Sequence, residues 1–219
     1  MPAEKESRRF WLKVNRIESL ADGIFAVAMT LLVLGLEIPD LPQETAAAAL
    51  HETLALDWPK FQNYVLSFLL LAIFWINHHR QFHHVKRADE PFLWLNIFAF
   101  MLVAIVPFST SLMSNYDGFL ATELIFEANL LGLGLVYFAM WFYASGKYRL
   151  IDRADIDEAR INFALRINLV VPVVSVMAMM LAFMTATWSE TLYVACPFII
   201  HFMKRRFNKN RRENKQISA

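Results

Sequence analysis

The chain has 219 residues, of which 57% are hydrophobic and 19% are charged. This balance excludes an ordinary soluble domain and indicates a membrane protein, because so apolar a chain needs lipid to cover it. The net charge of +1 gives no sign of a nucleic-acid partner, but the charges cluster between long uncharged stretches, and this distribution is informative.

Six apolar stretches follow one another along the chain. A bilayer core about 30 Å thick requires roughly 20 helical residues, a length that the second to fifth stretches reach and the first and last do not. We predict an all-α integral membrane bundle of six transmembrane helices in a single domain, residues 1–219. The predicted spans are 19–38, 61–79, 91–113, 124–146, 166–187 and 190–204.

The basic residues predict the orientation of the chain. Groups of five, three, five and seven Lys or Arg residues precede the first span and follow the second, fourth and sixth. If six spans alternate, 20 of the 21 basic residues therefore lie on one side, and Lys60 is the exception. Because Lys and Arg in short loops stay cytoplasmic, we predict that both termini are in the cytoplasm.

Two segments between the spans have helical character. Segment 39–59 contains an alanine run with high helix propensity, which favours a short surface helix on the outer side. Segment 151–166 alternates acidic and basic residues, a pattern that fits either a helical extension of the fifth span or a solvated linker.

Charged residues stand at the start of the first span, where an apolar helix begins. Arg16 and Asp22 are six positions apart, so they lie on different faces and contact different neighbours. A charge at membrane depth is costly unless it is paired or faces protein. Interfacial anchoring accounts for Arg16 alone but does not account for Asp22.

The second span ends in a polar and aromatic group at the same membrane level as Asp22. Histidine can donate from one ring nitrogen and accept at the other, so this group is able to satisfy Asp22 or Ser19. Decoration of the membrane interface is an equally good interpretation. The residues of the group are Trp75, Asn77, His78 and His79.

These residues resemble two signatures of the prokaryotic relatives of the endosomal and lysosomal potassium channel transmembrane protein 175. The family's first helix opens with Arg-x-x-x-Phe-Ser-Asp and ends near Glu-Ile-Pro. Here the matching residues are Arg16, Asp22 and Glu37-Ile38-Pro39, with Leu20-Ala21 in place of Phe-Ser. The second signature, Trp-x-x-His-His-x-x-Phe, is matched by Trp75, His78, His79 and Phe82. Leu95-Asn96 and Pro107-Phe108-Ser109-Thr110 resemble the family's third helix.

The resemblance implies a potassium-selective or potassium-permeable channel in the plasma membrane. It implies a homotetramer whose first helices line one central pore with a hydrophobic constriction, without a carbonyl filter, and indeed no Thr-Val-Gly-Tyr-Gly run is present. Its partners are then potassium ions and the bilayer, with no cofactor, no resident metal, no nucleic acid and no catalysis.

Pore positions carried over from the resemblance begin five residues after the motif aspartate. They are Val27, Thr30, Leu31 and Leu34. Offsets of 3, 4 and 7 place them on one stripe of a helix, as a pore lining requires. Without the resemblance, every face of this helix is apolar, so the same stripe also fits a packing seam.

Two other classes of membrane protein compete with the channel. His79-x-x-x-His83-His84 has the spacing of a histidine box, which favours a membrane metalloenzyme, although such sites use several boxes and His51 is predicted on the opposite side. A haem protein is disfavoured because His201 is the only plausible axial partner on another helix. A secondary transporter would normally show an internal repeat and broken helices, which the sequence lacks.

Overall fold

The computed structural model describes residues 13–36 and 43–217, which form a helical bundle. Eight α-helices are present in these residues, and the only β-type pairing is a single bridge between Val85 and Ile151. The helices are α1 Val14–Leu31, α2 Gln43–Leu56, α3 Trp58–Phe82, α4 Glu90–Asn115, α5 Leu120–Ser145, α6 Glu158–Asn168, α7 Val170–Ala182 and α8 Ala195–Ile217. Short 3₁₀ segments continue α1 over Leu32–Gly35, end α5 over Gly146–Tyr148 and precede α8 over Ala186–Val194.

Five segments of the described chain are long and apolar enough to cross a membrane. They are Val14–Gly35, Trp58–Phe82, Glu90–Asn115, Leu120–Tyr148 and Glu158–Ala182. The predicted all-α, multi-pass membrane architecture is therefore confirmed. The sixth span, predicted at 190–204, falls on a 3₁₀ segment and the uncharged start of α8, and it stays a prediction. The end of the predicted first span, together with Glu37-Ile38-Pro39, lies outside the described residues.

The segments between the spans also form helices. Segment 39–59 includes α2, and segment 151–166 is irregular up to Asp157 and helical from Glu158. The Asp157 carboxylate accepts a hydrogen bond from the Arg160 backbone N–H at 2.8 Å, which caps the start of α6. Because α6 leads directly into α7, the charged segment extends the fifth span rather than forming only a linker.

Polar side chains join the central helices inside the bundle. Thr110 of α4 donates to Ser67 of α3 at 2.8 Å, and Asn63 of α3 donates to Ser114 of α4 at 3.2 Å. Interhelical hydrogen bonds of this kind favour association where lipid supplies no hydrophobic driving force between helices. They fix α3 against α4, the two helices that hold the site described below.

The loops after α3 and α5 meet at one end of the bundle. The Lys86 backbone N–H donates to the Leu150 carbonyl at 2.9 Å, and the Lys86 ammonium pairs with Asp155 at 2.7 Å. Near them, Asp89 accepts from the Tyr143 hydroxyl at 2.8 Å and pairs with Arg149 at 3.4 Å. These contacts bring the basic loops that follow the second and fourth predicted spans to the same end of the molecule, which we call the basic end.

Candidate functional site

Helix α1 and the 3₁₀ segment that continues it have two apolar faces with different environments. One face is buried against α3 and α4 through Ile17, Ala21, Phe25, Ala28 and Leu32. The other face is exposed on the single chain. It contains Leu20, Val27, Thr30, Leu31 and Leu34, which we call the outer stripe. Val27 is 57% exposed and Leu34 is 71% exposed, so packing within the subunit does not explain why these positions are apolar.

A hydrogen bond fixes the middle of α1 to α3. The indole Nε1–H of Trp75 donates to Asp22 Oδ1 at 2.9 Å. The His79 ring stacks on the same indole, with ring centroids 6.4 Å apart and planes at 27°. Trp75 is thus held between a carboxylate of α1 and an imidazole one turn further along α3.

His78 occupies the centre of an aromatic cluster under α1 and is only 2% exposed. Its Nε2 lies 3.2 Å from Asn96 Oδ1, and the Asn96 amide donates to the Phe92 carbonyl at 2.8 Å. With the Asn96 amide nitrogen used in this way, His78 is the donor to Oδ1. The ring also stacks on Phe82, with ring centroids 4.1 Å apart, and packs near Phe25 of α1, with ring centroids 6.5 Å apart. His78 therefore links α1, α3 and α4.

Other predicted network residues lie elsewhere. The Ser19 hydroxyl donates to the Asn15 carbonyl of its own helix at 2.9 Å, and Arg16 is exposed. The Asn77 amide donates to Asn168 of α6, so Asn77 faces away from Asp22. Residues two apart on a helix point in directions about 200° apart, so Trp75 and Asn77 cannot both face α1.

The histidine-box residues do not converge on a metal site. His79 stacks on Trp75, whereas His84 lies against Trp141 at a ring distance of 6.2 Å. In residues 13–36 and 43–217, no group of three or more His, Cys, Asp or Glu side chains is placed to hold a metal ion.

Two buried carboxylates on α5 belong to none of the motifs described above. Glu123 and Glu127 are fully buried, and the Ser189 hydroxyl donates to Glu123 Oε2 at 3.3 Å. Neither oxygen of Glu127 has a hydrogen-bond partner among the described groups. Their spacing of four residues, which places them on one helix face, was the available signal.

The fold and this site together define a multi-pass α-helical membrane protein. Residues 16–107 match the family described as endosomal/lysosomal potassium channel TMEM175. A potassium channel of Streptomyces collinus is 33% identical over 159 residues, which are 69% of this chain and 76% of that protein. The chain belongs to the TMEM175 family.

Two further matches, one in sequence and one in structure, come from Chamaesiphon minutus. One is a potassium channel that is 33% identical over 66% of this chain and 74% of its own length. The other is the crystal structure of a homologue of the lysosomal potassium-selective channel TMEM175. It has a TM-score of 0.73 and 26% identity, and it covers 89% of this chain and 98% of that chain. The predicted family resemblance is confirmed, and because the family is one of ion channels, so is the prediction that the chain is not an enzyme.

Proposed function

We propose that the protein is a potassium-permeable cation channel that conducts passively through a pore at the axis of a homotetramer. In this proposal each subunit crosses the plasma membrane six times and keeps both termini in the cytoplasm. The relatives that are named potassium channels support potassium as the conducted ion. The exposed face of α1 supports the position of the pore. The finding on which the proposal mainly depends is the exposed, apolar outer stripe on a helix whose opposite face is fixed to its own subunit.

The outer stripe is chemically suited to a narrow pore. Four copies of Val27, Leu31 and Leu34 around an axis would form rings that an ion crosses only after losing part of its hydration shell, a step that costs less for potassium than for the more tightly hydrated sodium. Hydrophobic rings can also close by dewetting. The Thr30 hydroxyl donates to the Val27 carbonyl at 2.8 Å, so its oxygen lone pairs remain available to accept or to coordinate a cation.

Contacts at the basic end support the proposed number and direction of spans. The loop after α3 pairs with the loop after α5 through Lys86 and Asp155, and Arg211 of α8 pairs with Asp157 at 2.6 Å. Three basic segments thus share one end of the molecule. They are the loop that follows α3, the loop that follows α5 and the basic part of α8. This is the arrangement expected if α8 returns the chain across the membrane and all these segments are cytoplasmic.

Polar substitutions in the outer stripe test the proposed pore. We expect Val27→Asn and Leu31→Asn to increase ion leak or to reduce the preference for potassium over sodium, because an amide ring wets the constriction. The measurement is cation flux into vesicles that contain only the purified protein. Matched controls are Val173→Asn on α7 and Leu135→Asn on α5, whose wild-type side chains are 54% and 48% exposed but lie outside the outer stripe.

The controls are expected to conduct like the wild type. Unchanged flux and selectivity in both stripe variants would remove Val27 and Leu31 from the pore. An equal change in the two controls would show that polar groups on any exposed face disturb the bundle. Absence of potassium flux in the wild-type vesicles would contradict the channel itself.

A further inference from the structure

A cavity of about 760 Å³ opens at the basic end of the bundle, between the end of α3, helix α6 and helix α8. Its lining includes Arg80 of α3, Arg160 of α6 and Lys204 of α8, so three helices contribute cationic groups to one space. In total, five Arg or Lys residues and three His residues line it, and no Asp or Glu belongs to the described lining.

The positive charge of this cavity is largely unbalanced. Arg211 is neutralised by Asp157, whose Oδ2 lies 2.6 Å from the guanidinium Nη2. The other cationic lining residues form no ion pair with any carboxylate of residues 13–36 and 43–217. Arg80 and Lys204 face the same space, so their like charges repel each other. An anion between them would remove this repulsion, and guanidinium and ammonium groups are well suited to bind phosphate.

A second, more apolar cavity of about 320 Å³ adjoins the first. The two cavities share four lining residues, Asn77, Arg80, Ile167 and Lys204. Beyond this shared border most of the lining is apolar and includes Ile73, Val171 and Ile200, with Asn168 and His201 as its polar members. The combined space therefore has a cationic end and an apolar end, which matches an amphipathic anion better than a free phosphate.

We propose that these two cavities form a binding site for an anionic phospholipid. The phosphate lies among Arg80, Arg160 and Lys204, and part of an acyl chain occupies the apolar cavity. Basic pockets between membrane helices bind anionic headgroups through the same charge complementarity. The stacked rings of Phe163 and Phe207, 4.1 Å apart and nearly parallel, hold α6 against α8 and so keep the cationic cavity formed.

Lipid titration of the full-length protein tests the site. The purified, delipidated protein is titrated with phosphatidylglycerol, phosphatidylcholine or inorganic phosphate, and bound lipid and unfolding temperature are measured by native mass spectrometry and thermal scans. We expect phosphatidylglycerol to bind the wild type preferentially. In Arg80→Gln/Lys204→Gln its affinity falls about thirtyfold, since each basic group near an anionic lipid contributes roughly fivefold.

The matched control is Arg205→Gln/Arg206→Gln, which removes the same charge from exposed positions of α8 that line neither cavity. The single variant Arg160→Gln, at an exposed position, is used if the double cavity variant does not fold. Equal lipid affinity in cavity and control variants would overturn the proposal, as would equal binding of phosphatidylcholine. Saturation by inorganic phosphate at the concentrations that saturate phosphatidylglycerol would show that the ligand is a free phosphate and would also overturn it.

Discussion

The Trp75 indole donates the hydrogen bond that holds Asp22 of α1 against α3 of the same subunit. Trp75→Phe retains an aromatic ring but removes the N–H donor and leaves the carboxylate without this partner. We expect a loss of about 1 kcal/mol in the free energy of unfolding, in the range of a single net hydrogen bond. Thermal unfolding in detergent measures it, with Trp94→Phe at an exposed position of α4 as the control. Equal unfolding temperatures for Trp75→Phe and the wild type would show that this contact does not hold α1.

His84, just beyond the end of α3, makes stability depend on pH. Burial lowers the pKa of its imidazole below the usual 6.5, and the nearby charges of His83, Arg160 and Lys86 lower this pKa further, against an opposing contribution from Asp155. Below pH 6.5 the unfolded chain therefore binds a proton at this position more readily than the folded chain does. The stability that the neutral His84 provides is present above pH 6.5 and is lost as the pH falls toward the depressed pKa.

A His84→Gln variant removes this dependence. We expect the unfolding temperature of the wild type to fall more steeply than that of His84→Gln between pH 7.5 and 5.5. His51→Gln, at an exposed position of α2, controls for the loss of a histidine and should follow the wild type. Parallel curves for the wild type and His84→Gln would show that His84 does not titrate in this range.

Residue patterns named several side chains that lie between α1 and α3 in the fold. The motifs singled out Asp22, Trp75 and His79, which the fold brings together, and His78, which it buries. The direction of Asn77 was not predictable from the α3 sequence alone, because its partner Asn168 is about ninety positions away and reaches it only through the packing of α6. Long-range packing of this kind has no local signature.

At the scale of the helices, α5 and α7 approach each other closely at one point. A Cβ atom added to Gly134 would lie 2.6 Å from Cδ of Pro172, which is too close for two carbon atoms. We expect Gly134→Ala to cost about 1–3 kcal/mol of stability because the helices must separate. Unfolding by chemical denaturant in detergent measures this cost.

Gly132→Ala on the same helix is the matched control. Its added Cβ would meet Leu102 Cδ1 at 3.5 Å, an ordinary contact. This variant should unfold like the wild type. If both alanine variants unfold alike, the approach of α5 to Pro172 does not limit the packing of these helices.

The helices themselves were predicted better than their ends. Helices occupy most of predicted spans two to five, but α5 begins at Leu120 rather than 124, and the fifth segment of membrane-spanning length is Glu158–Ala182 rather than 166–187. In both cases charged residues lie inside a helix. Glu123 is buried and accepts a hydrogen bond from Ser189, and the charges of α6 lie in the first half of the Glu158–Ala182 segment, so ending a span at its first charge shortens it.

At the scale of the whole molecule, one subunit leaves many large apolar side chains exposed. Those on α4, α5 and α7, such as Phe98, Phe142 and Met180, have the surroundings expected of a lipid-facing surface. The outer stripe of α1 likewise consists mainly of large apolar side chains that are exposed on one subunit. Sequence patterns therefore cannot separate a pore face from a lipid face, since both are apolar and both are exposed on the isolated chain. The proposed arrangement of four subunits around one axis would make this distinction.

Chemical modification of a cysteine in the outer stripe tests the pore most directly. In a Cys196→Ala background, which removes the buried native thiol, Leu34→Cys is treated in potassium-loaded vesicles with a charged thiol reagent. Leu135→Cys on α5 is treated in parallel, and labelling of both is verified by mass. We expect labelling at position 34 to reduce potassium flux severalfold and labelling at position 135 to leave it unchanged. Full labelling at position 34 with undiminished flux would contradict a pore lined by the first helix.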